Sequence, residues 1–382
     1  MNKIKVIIYS EDFPPYPGGI AQWAAGVANS LAKLGNDIKV ITRFREKYSD
    51  TLQEWKFLVQ YVQGNHWKQL RSWYWYKSLN GLLKEGALPD LIIATTWNCS
   101  RGLLATSKKK KIKFITVAHG LEVTRKMSYI KKKWLSRTLK KSDYVISVSN
   151  FTRHRILEMY PVDSQKILVF PNGVDLSIFI PQLDTLRLKK KHDLKEEKII
   201  LTLARVVERK GHDKVIEAIP AVLKKVPKLK YIIAGSYEKK YYRKLQKLIE
   251  DLKLREVVIF TGYIQPYEIP HYYNLCDVYI MPSREPENSG DAEGFGITYL
   301  EANACEKPVI GGNSGGVGDA IVDGETGFLV NPDNVDEIAN KLFLLLSDPQ
   351  LAQKLGKNGR DRIKKSYTWD IITKNILNKV FN

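Results

Sequence analysis

The chain is expected to be an α/β protein built from two Rossmann-like halves, and three observations lead there. Short β-branched runs alternate with stretches of helical length along nearly the whole sequence, as in strand–helix–strand units around a parallel sheet. Near residue 180 the alternation gives way to a polar, charged stretch, and it starts again near 195. The length, 382 residues, exceeds what one core of this kind usually holds, so two domains are expected.

The elements follow in order. "KIKVIIYS" is a short apolar run and reads as a buried first strand. A loop rich in proline and glycine, "EDFPPYPGGI", comes next, then a helix, "AQWAAGVANSLAKLG", closed by Gly35. Further strands read from "NDIKVITRF", "DLIIATTW", "KFITVAHG" and "DYVISVSN", with helix-like stretches between them. After "KILVFPNGVDLSIFIP" the segment "QLDTLRLKKKHDLKEEK" reads as a linker. The second half opens with "KIILTLARV" and a helix near "DKVIEAIPAVLKKVP". Strands at "LKYIIAGSY", "VVIFTGYI", "CDVYIMPS", "PVIGG" and "TGFLVNP" follow. The domains are therefore expected at 1–180 and 195–365, with a final helix within 367–382.

Composition narrows the class. The chain is 44% hydrophobic and 10% aromatic, enough for large cores. No run of about 18 apolar residues is present, so no spanning helix is expected. The first apolar run is too short for a signal peptide. Cys99, Cys276 and Cys305 are scattered and form neither a disulfide framework nor a Cys-x-x-Cys metal site. A reducing, cytoplasmic setting fits. The net charge is +20, unevenly placed: 14 Lys and Arg between Arg101 and Lys141 meet one acid, Glu122. A surface like this attracts phosphates, whether of a membrane leaflet, a nucleic acid or an anionic substrate. It is equally what a solvated basic face looks like.

Ligands of open α/β sheets bind at the carboxyl ends of the strands, and five unusual loops fall there. In "PPYPGGI", Gly18 and Gly19 allow close backbone approach, and the following helix start offers N–H groups to an anion. "ARVVERKG" carries Arg205 and Lys210, a fork and a point charge suited to phosphate. "EGFGITYLE" carries Glu293 just before a helix start and Glu301 in its second turn, too far apart for a close dyad. They are placed to grip two hydroxyl-rich parts of one long ligand. Between them the N–H groups of Phe295 and Gly296 favour phosphate. Two hydroxyl-binding carboxylates around a phosphate site describe a sugar nucleotide. "SGGVGD", Ser314 to Asp319, offers a second phosphate contact. His119 in "VAHG" stands at a strand end, where a lone histidine is either structural or turned to a ligand.

With these residues assembled, the sequence resembles the retaining glycosyltransferases of family 4, which have the GT-B fold of two Rossmann-like domains facing each other across a cleft. The carrying element is Glu-x7-Glu, "EGFGITYLE". "PPYPGGI", "VAHG", "SVSNFT", "FPNGVD", "ARVVERKG", "TGYI", "PVIGG" and "TGFLV" occur in the family's order. "RKGHDKVIEAIP" and "DAEGFGITYLEA" look especially like the phosphatidylinositol mannoside mannosyltransferases and their bacterial relatives.

The resemblance implies roles. Glu293 would bind hydroxyls of the donor sugar, and Glu301 those of the ribose. Arg205 and Lys210 would neutralise the diphosphate, with Gly294, Phe295, Gly296 and Ile297 around it. The Gly18–Gly19 loop would close over the phosphates, and His119 would lie beside the sugar. Backbone groups of Gly262, Tyr263 and Ile264 would hold the base. The last helix would return to the first domain. Retention would proceed by front-face attack, with no metal and no cofactor beyond the nucleotide sugar donor. One departure stands out: the family's Gly-Gly-x-Pro-Glu reads "GGVGD" here, with Gly318 and Asp319.

The acceptor is expected on the first domain, lipid-linked or a saccharide. "HWKQLRSWYWYKSL" and "TRKMSYIKKKWLSRTLKKSD" mix aromatics with cations and suit an anionic membrane surface, placing the protein on the inner face of the cell membrane. GDP-mannose leads as donor, with UDP sugars close behind. Three other readings compete. Nucleic-acid binding fits the charge but not the paired acids, so no nucleic-acid partner is expected. A glycosidase needs the acids at set separations. A soluble synthase would use a small free acceptor.

Overall fold

The computed structural model describes residues 3–16, 18–44, 54–62, 71–86, 88–286 and 290–382. The chain divides into two compact units, Met1–Gly173 with Trp369–Asn382, and Val174–Thr368.

The first unit holds β1 (Lys5–Ser10), β2 (Asp37–Arg43), β3 (Leu58–Val62), β4 (Leu91–Ala94), β5 (Lys113–Ala118), β6 (Tyr144–Ser147) and β7 (Ile167–Val169). They form one sheet in the order β3-β2-β1-β4-β5-β6-β7. All its pairings are parallel, with Val6 beside Ile38 on one side and Leu91 on the other. Strands with helices on both faces are apolar throughout, which is why "KVIIYS" is buried from its second residue onward.

The second unit holds β8 (Lys198–Leu203), β9 (Leu229–Ala234), β10 (Val258–Gly262), β11 (Val278–Met281), β12 (Val309–Gly312) and β13 (Gly327–Val330). Their order is β10-β9-β8-β11-β12-β13, again parallel. Strand order reverses between β1 and β4 in one sheet and between β8 and β11 in the other. These are the switch points, where the loops leaving adjacent strands diverge and open a crevice. Both sheets are Rossmann-like, as the sequence predicts for the two halves.

The unit boundaries differ from the sequence expectation. Residues 182–198 read as a linker because they are charged, yet they pack on the second unit. Leu188 is buried there, Leu183 N–H donates to Asn274 Oδ1 at 3.2 Å, and His192 Nε2 meets the Tyr272 hydroxyl at 2.9 Å. A few anchoring side chains suffice while the lysines between them stay in water. At the other end the expectation holds: the helix Trp369–Phe381 returns to the first unit. Trp369 packs flat where Gly26 and Gly173 lack side chains: a Cβ on Gly26 would lie 2.2 Å from its ring, and one on Gly173 2.7 Å.

Candidate functional site

In the second unit the switch point brings together the loops after β8 and β11. The first makes a short turn, Glu208–Lys210, and enters the helix His212–Leu223 through Gly211 at φ +73°. A Cβ on Gly211 would lie 2.2 Å from the Pro282 carbonyl oxygen, so only glycine lets the two loops lie this close. Arg284 N–H donates to the Arg209 carbonyl at 2.9 Å. The Arg284 guanidinium reaches Asp213 at 2.8 Å, and Asp213 also accepts from Tyr241 at 2.9 Å. This buried network fixes the loop backbones.

On that base stands an ion cluster. Glu293 Oε2 accepts from Lys210 Nζ at 2.5 Å and from Arg209 Nη1 at 2.7 Å. Arg209 Nε reaches Asp291 at 3.1 Å. The side chains of Arg209, Lys210 and Glu293 are only 11%, 10% and 14% exposed, so water screens these charges little. Burial alone would push Glu293 up, but Lys210 and Arg209 outweigh it and hold its pKa down at about 2. Burial pulls Lys210 down to about 8, against the attraction of Glu293 and with the repulsion of Arg209 and Arg205. Glu293 is therefore held ionised.

The segment after Glu293 is equally constrained. Gly316 N–H donates to the Glu293 carbonyl at 2.7 Å, tying "SGGVGD" to the acid. Phe295 is buried and stacks on Tyr367 at 6.3 Å. Gly296 caps the helix Ile297–Ala304 at φ +92°. Glu301, in the second turn, is 2% exposed and accepts from the Tyr273 hydroxyl at 2.7 Å. It makes its own buried pair, apart from the cluster of Glu293. Arg205 is exposed, and its side chain has no hydrogen bond or ion pair among the described residues. Gly262, at φ +68°, ends β10, and its carbonyl accepts from Gly235 N–H at 2.8 Å. Tyr263 is half exposed and Ile264 buried.

In the first unit, the helix Gly19–Lys33 starts directly after Gly18, and both glycines face open space. Trp23 of that helix is fully buried and meets the His119 ring edge-on at 5.8 Å. His119 follows β5, and a ring N–H is taken by the Thr95 carbonyl. Thr95 follows β4, and its hydroxyl donates to Ser10 at the end of β1 at 2.8 Å. His119 thus belongs to the switch point of the first sheet. Burial lowers its pKa to about 4, more than the Thr95 bond raises it. Nearby, burial raises the Glu122 pKa to about 7, although backbone N–H groups of His119, Glu122 and Gly120 pull it down.

Of the residues singled out from the sequence, Lys210 and Glu293 meet in one ion pair. Arg205, Glu301 and the Gly262–Ile264 turn stand around the same sheet end without joining that pair. Sequence reasoning missed Arg209, Asp291 and Glu122. Arg209 and Asp291 lie within motifs already marked, but nothing in a charged loop tells which cation turns inward. Glu122 carried a signal: it is the single acid in a strongly basic segment.

Comparison with known proteins gives the same picture from another side. Residues 184–362 match the family model described as glycosyl transferases group 1, and residues 17–178 match glycosyltransferase family 4. The GDP-mannose-dependent alpha-(1-6)-phosphatidylinositol monomannoside mannosyltransferase of Mycolicibacterium smegmatis is 30% identical over 380 residues, 95% of each chain. A glycosyltransferase crystal structure from Rickettsia africae superposes with a TM-score of 0.82 at 24% identity, covering 100% of this chain and 98% of that one. Anabaena HepE in complex with UDP and glucose superposes at 0.83 with 20% identity, covering 99% of each.

Proposed function

The chain belongs to the family 4 glycosyltransferases, and from that membership we propose that it moves a hexose from a nucleotide diphosphate sugar, GDP-mannose first, to a lipid-linked or polysaccharide-precursor acceptor. The observation that carries this reading is the buried Glu293–Lys210–Arg209 cluster at the second sheet's switch point. It presents fixed cations and an ionised carboxylate where such sheets hold ligands. The mannosyltransferase relative, similar over nearly its whole length, supports the choice of GDP-mannose and of a lipid-linked acceptor of the phosphatidylinositol mannoside type.

The chemistry follows from charge. Breaking the sugar–phosphate bond builds negative charge on the diphosphate and positive charge on the sugar ring. Lys210, Arg205 and the N–H groups opening the helix Ile297–Ala304 would stabilise the first. Lys210 and the helix N–H groups are already held in place, so little reorganisation of them is needed during the reaction. Glu293 would hold donor-sugar hydroxyls and Glu301 the ribose. With the leaving phosphate assisting deprotonation of the acceptor on the same face, configuration is retained and neither glutamate acts as nucleophile. Cations of the chain take the part a metal would otherwise play.

The acceptor side of the proposal rests on the first unit. The helix Tyr129–Lys141 buries Leu135, Thr138 and Leu139. Its other face exposes Tyr129 (78%) and Ile130 (59%) beside Lys131, Lys132 and Lys133, while Arg101 lies 3.5 Å over the Trp134 ring. The helix Arg71–Lys84 buries Trp75, Leu79 and Leu82 and exposes Trp73 and Tyr76. Residues 66–70 of the same aromatic stretch lie outside the described residues. Apolar tips among lysines suit an anionic bilayer surface. No helix among the described residues is long and apolar enough to cross a membrane.

Thermal shifts with GDP, UDP, ADP and their sugars, on wild type and Glu301→Ala, test the donor assignment. GDP and GDP-mannose should stabilise wild type, and the variant much less. No shift with any nucleotide would overturn the transferase reading. Flotation with neutral and anionic vesicles tests the surface. Equal recovery from both would rule out electrostatic docking.

A further inference from the structure

The turn that carries His119 is built around a residue the proposed reaction has not yet used. β5 ends at Ala118, and a four-residue helix, Leu121–Thr124, begins three residues after it. Glu122 folds its carboxylate back against this turn. Its Oε1 accepts from the His119 backbone N–H at 2.5 Å. The carboxylate also takes the backbone N–H groups of Gly120 and of Glu122 itself. The segment is clamped elsewhere too. Trp97 Nε1 donates to the Glu122 carbonyl at 3.1 Å, and the Tyr160 hydroxyl donates to the Val123 carbonyl at 3.0 Å.

The His119 ring is as closely held as its backbone. Trp23 covers it edge-on, and the Thr95 carbonyl takes one ring N–H. Nε2 is shielded from solvent and has no partner among the described residues. The bond to Thr95 therefore runs through Nδ1, and on a neutral ring Nε2 carries the lone pair. Burial keeps the ring neutral. A shielded acceptor with no donor is costly by itself. It becomes useful when a ligand hydroxyl supplies the donor. Glu122 touches the main chain of His119 and not its ring, so it does not act as the carboxylate of an Asp–His pair would. What it sets is the direction in which the ring leaves the strand.

Building on the transferase reading above, we propose that Glu122 is a positioning residue: by gathering three backbone N–H groups it fixes the turn after β5 and so aims His119 Nε2, as a hydrogen-bond acceptor, at a substrate hydroxyl. A sugar or acceptor alcohol is the chemical class that fits, since it brings the missing donor. Substitution at Glu122 then acts through His119 and not beside it.

Two measurements on the full chain test this. The first needs no turnover. With ¹⁵N-labelled histidine, the His119 ring signals are assigned by their loss in His119→Gln. Wild type should show one neutral tautomer, protonated on Nδ1, from pH 5 to 8. In Glu122→Ala the two ring nitrogens should shift toward each other, as tautomers mix, and the ring should titrate nearer its ordinary value. Glu122→Gln keeps one acceptor oxygen and should fall between, and it serves where the alanine variant fails to fold. Unchanged His119 signals in a folded variant would overturn the proposal. The second is a kinetic cycle with GDP-mannose. Glu122→Ala should lower kcat by about 10- to 100-fold with donor KM little changed, the scale expected of a misplaced group. In a His119→Ala background the same change should cost almost nothing. Losses that simply multiply would overturn it. A wild type that turns over no nucleotide sugar would sink the transferase reading, while the histidine spectra would still decide what Glu122 does.

Discussion

Replacing Glu293 by Gln removes one charge from a cluster in which two buried cations depend on it. Gln keeps the size and one acceptor oxygen, so packing is preserved and the change is electrostatic. The carboxyl pKa falls from 4.5 to about 2 on folding. At about 1.4 kcal/mol per unit, that is about 3 kcal/mol of stability at neutral pH. Removing one member of a buried pair typically costs about 3–5 kcal/mol, because the partner charges are left uncompensated. The two routes agree. For a unit the size of Val174–Thr368, about 3 kcal/mol lowers the melting temperature by about 6–12 °C. The sign of the pH dependence is fixed as well. A depressed carboxyl contributes stability that is present above its unfolded pKa and is lost as pH falls toward the folded one. Wild type should therefore lose about 2 kcal/mol from this group between pH 7 and pH 3, and Glu293→Gln should not. Scanning calorimetry over that range measures the difference. Parallel pH curves for the two proteins, or a loss below about 1 kcal/mol at pH 7, would refute the reasoning.

Other expectations concern neighbouring features. Arg209→Ala should lower kcat/KM for the donor at least about tenfold, and Arg209→Lys should not restore it, because an ammonium cannot fork between Asp291 and Glu293; steady-state kinetics on both variants decides. Gly315 sits at φ +60° with its Cβ position 2.5 Å from the Glu293 carbonyl oxygen. Gly315→Ala should displace that carbonyl and weaken GDP binding by about tenfold or more, measured by calorimetric titration. Gly26→Ala should push Trp369 from its seat and destabilise the first unit by about 1–3 kcal/mol, read from urea unfolding and from faster proteolysis of the last helix.

Much of the molecule was legible in the chain itself. "KVIIYS", "LIIA" and "KFITVA" are buried nearly throughout because a parallel strand covered on both faces has no polar side. Their local composition announces that state directly. The glycine-bearing loops could be read too, since a chain that bends sharply at a strand end shows it in its residues. Lys210 and Glu293 could be singled out from such loops, and the structure pairs them.

What the sequence left open depends on distance along the chain. Arg209 and Lys210 are adjacent cations in a charged loop, and both turn inward only because Glu293, 83 and 84 positions away, lies across the switch point. The charged stretch 182–198 reads as a linker until Leu188 and His192 find partners on the second unit. Arg205 and Glu301 carry equally strong motif signals, yet one is exposed and the other buried against Tyr273. Sequence by itself determined the strands other than β3 and β7, the order of the loops and the kinds of side chain brought to each sheet end. Only the tertiary structure decided which charges meet. A residue's secondary structure is set mainly by its near neighbours, whereas its ionisation and its partners are set by whatever the fold packs beside it.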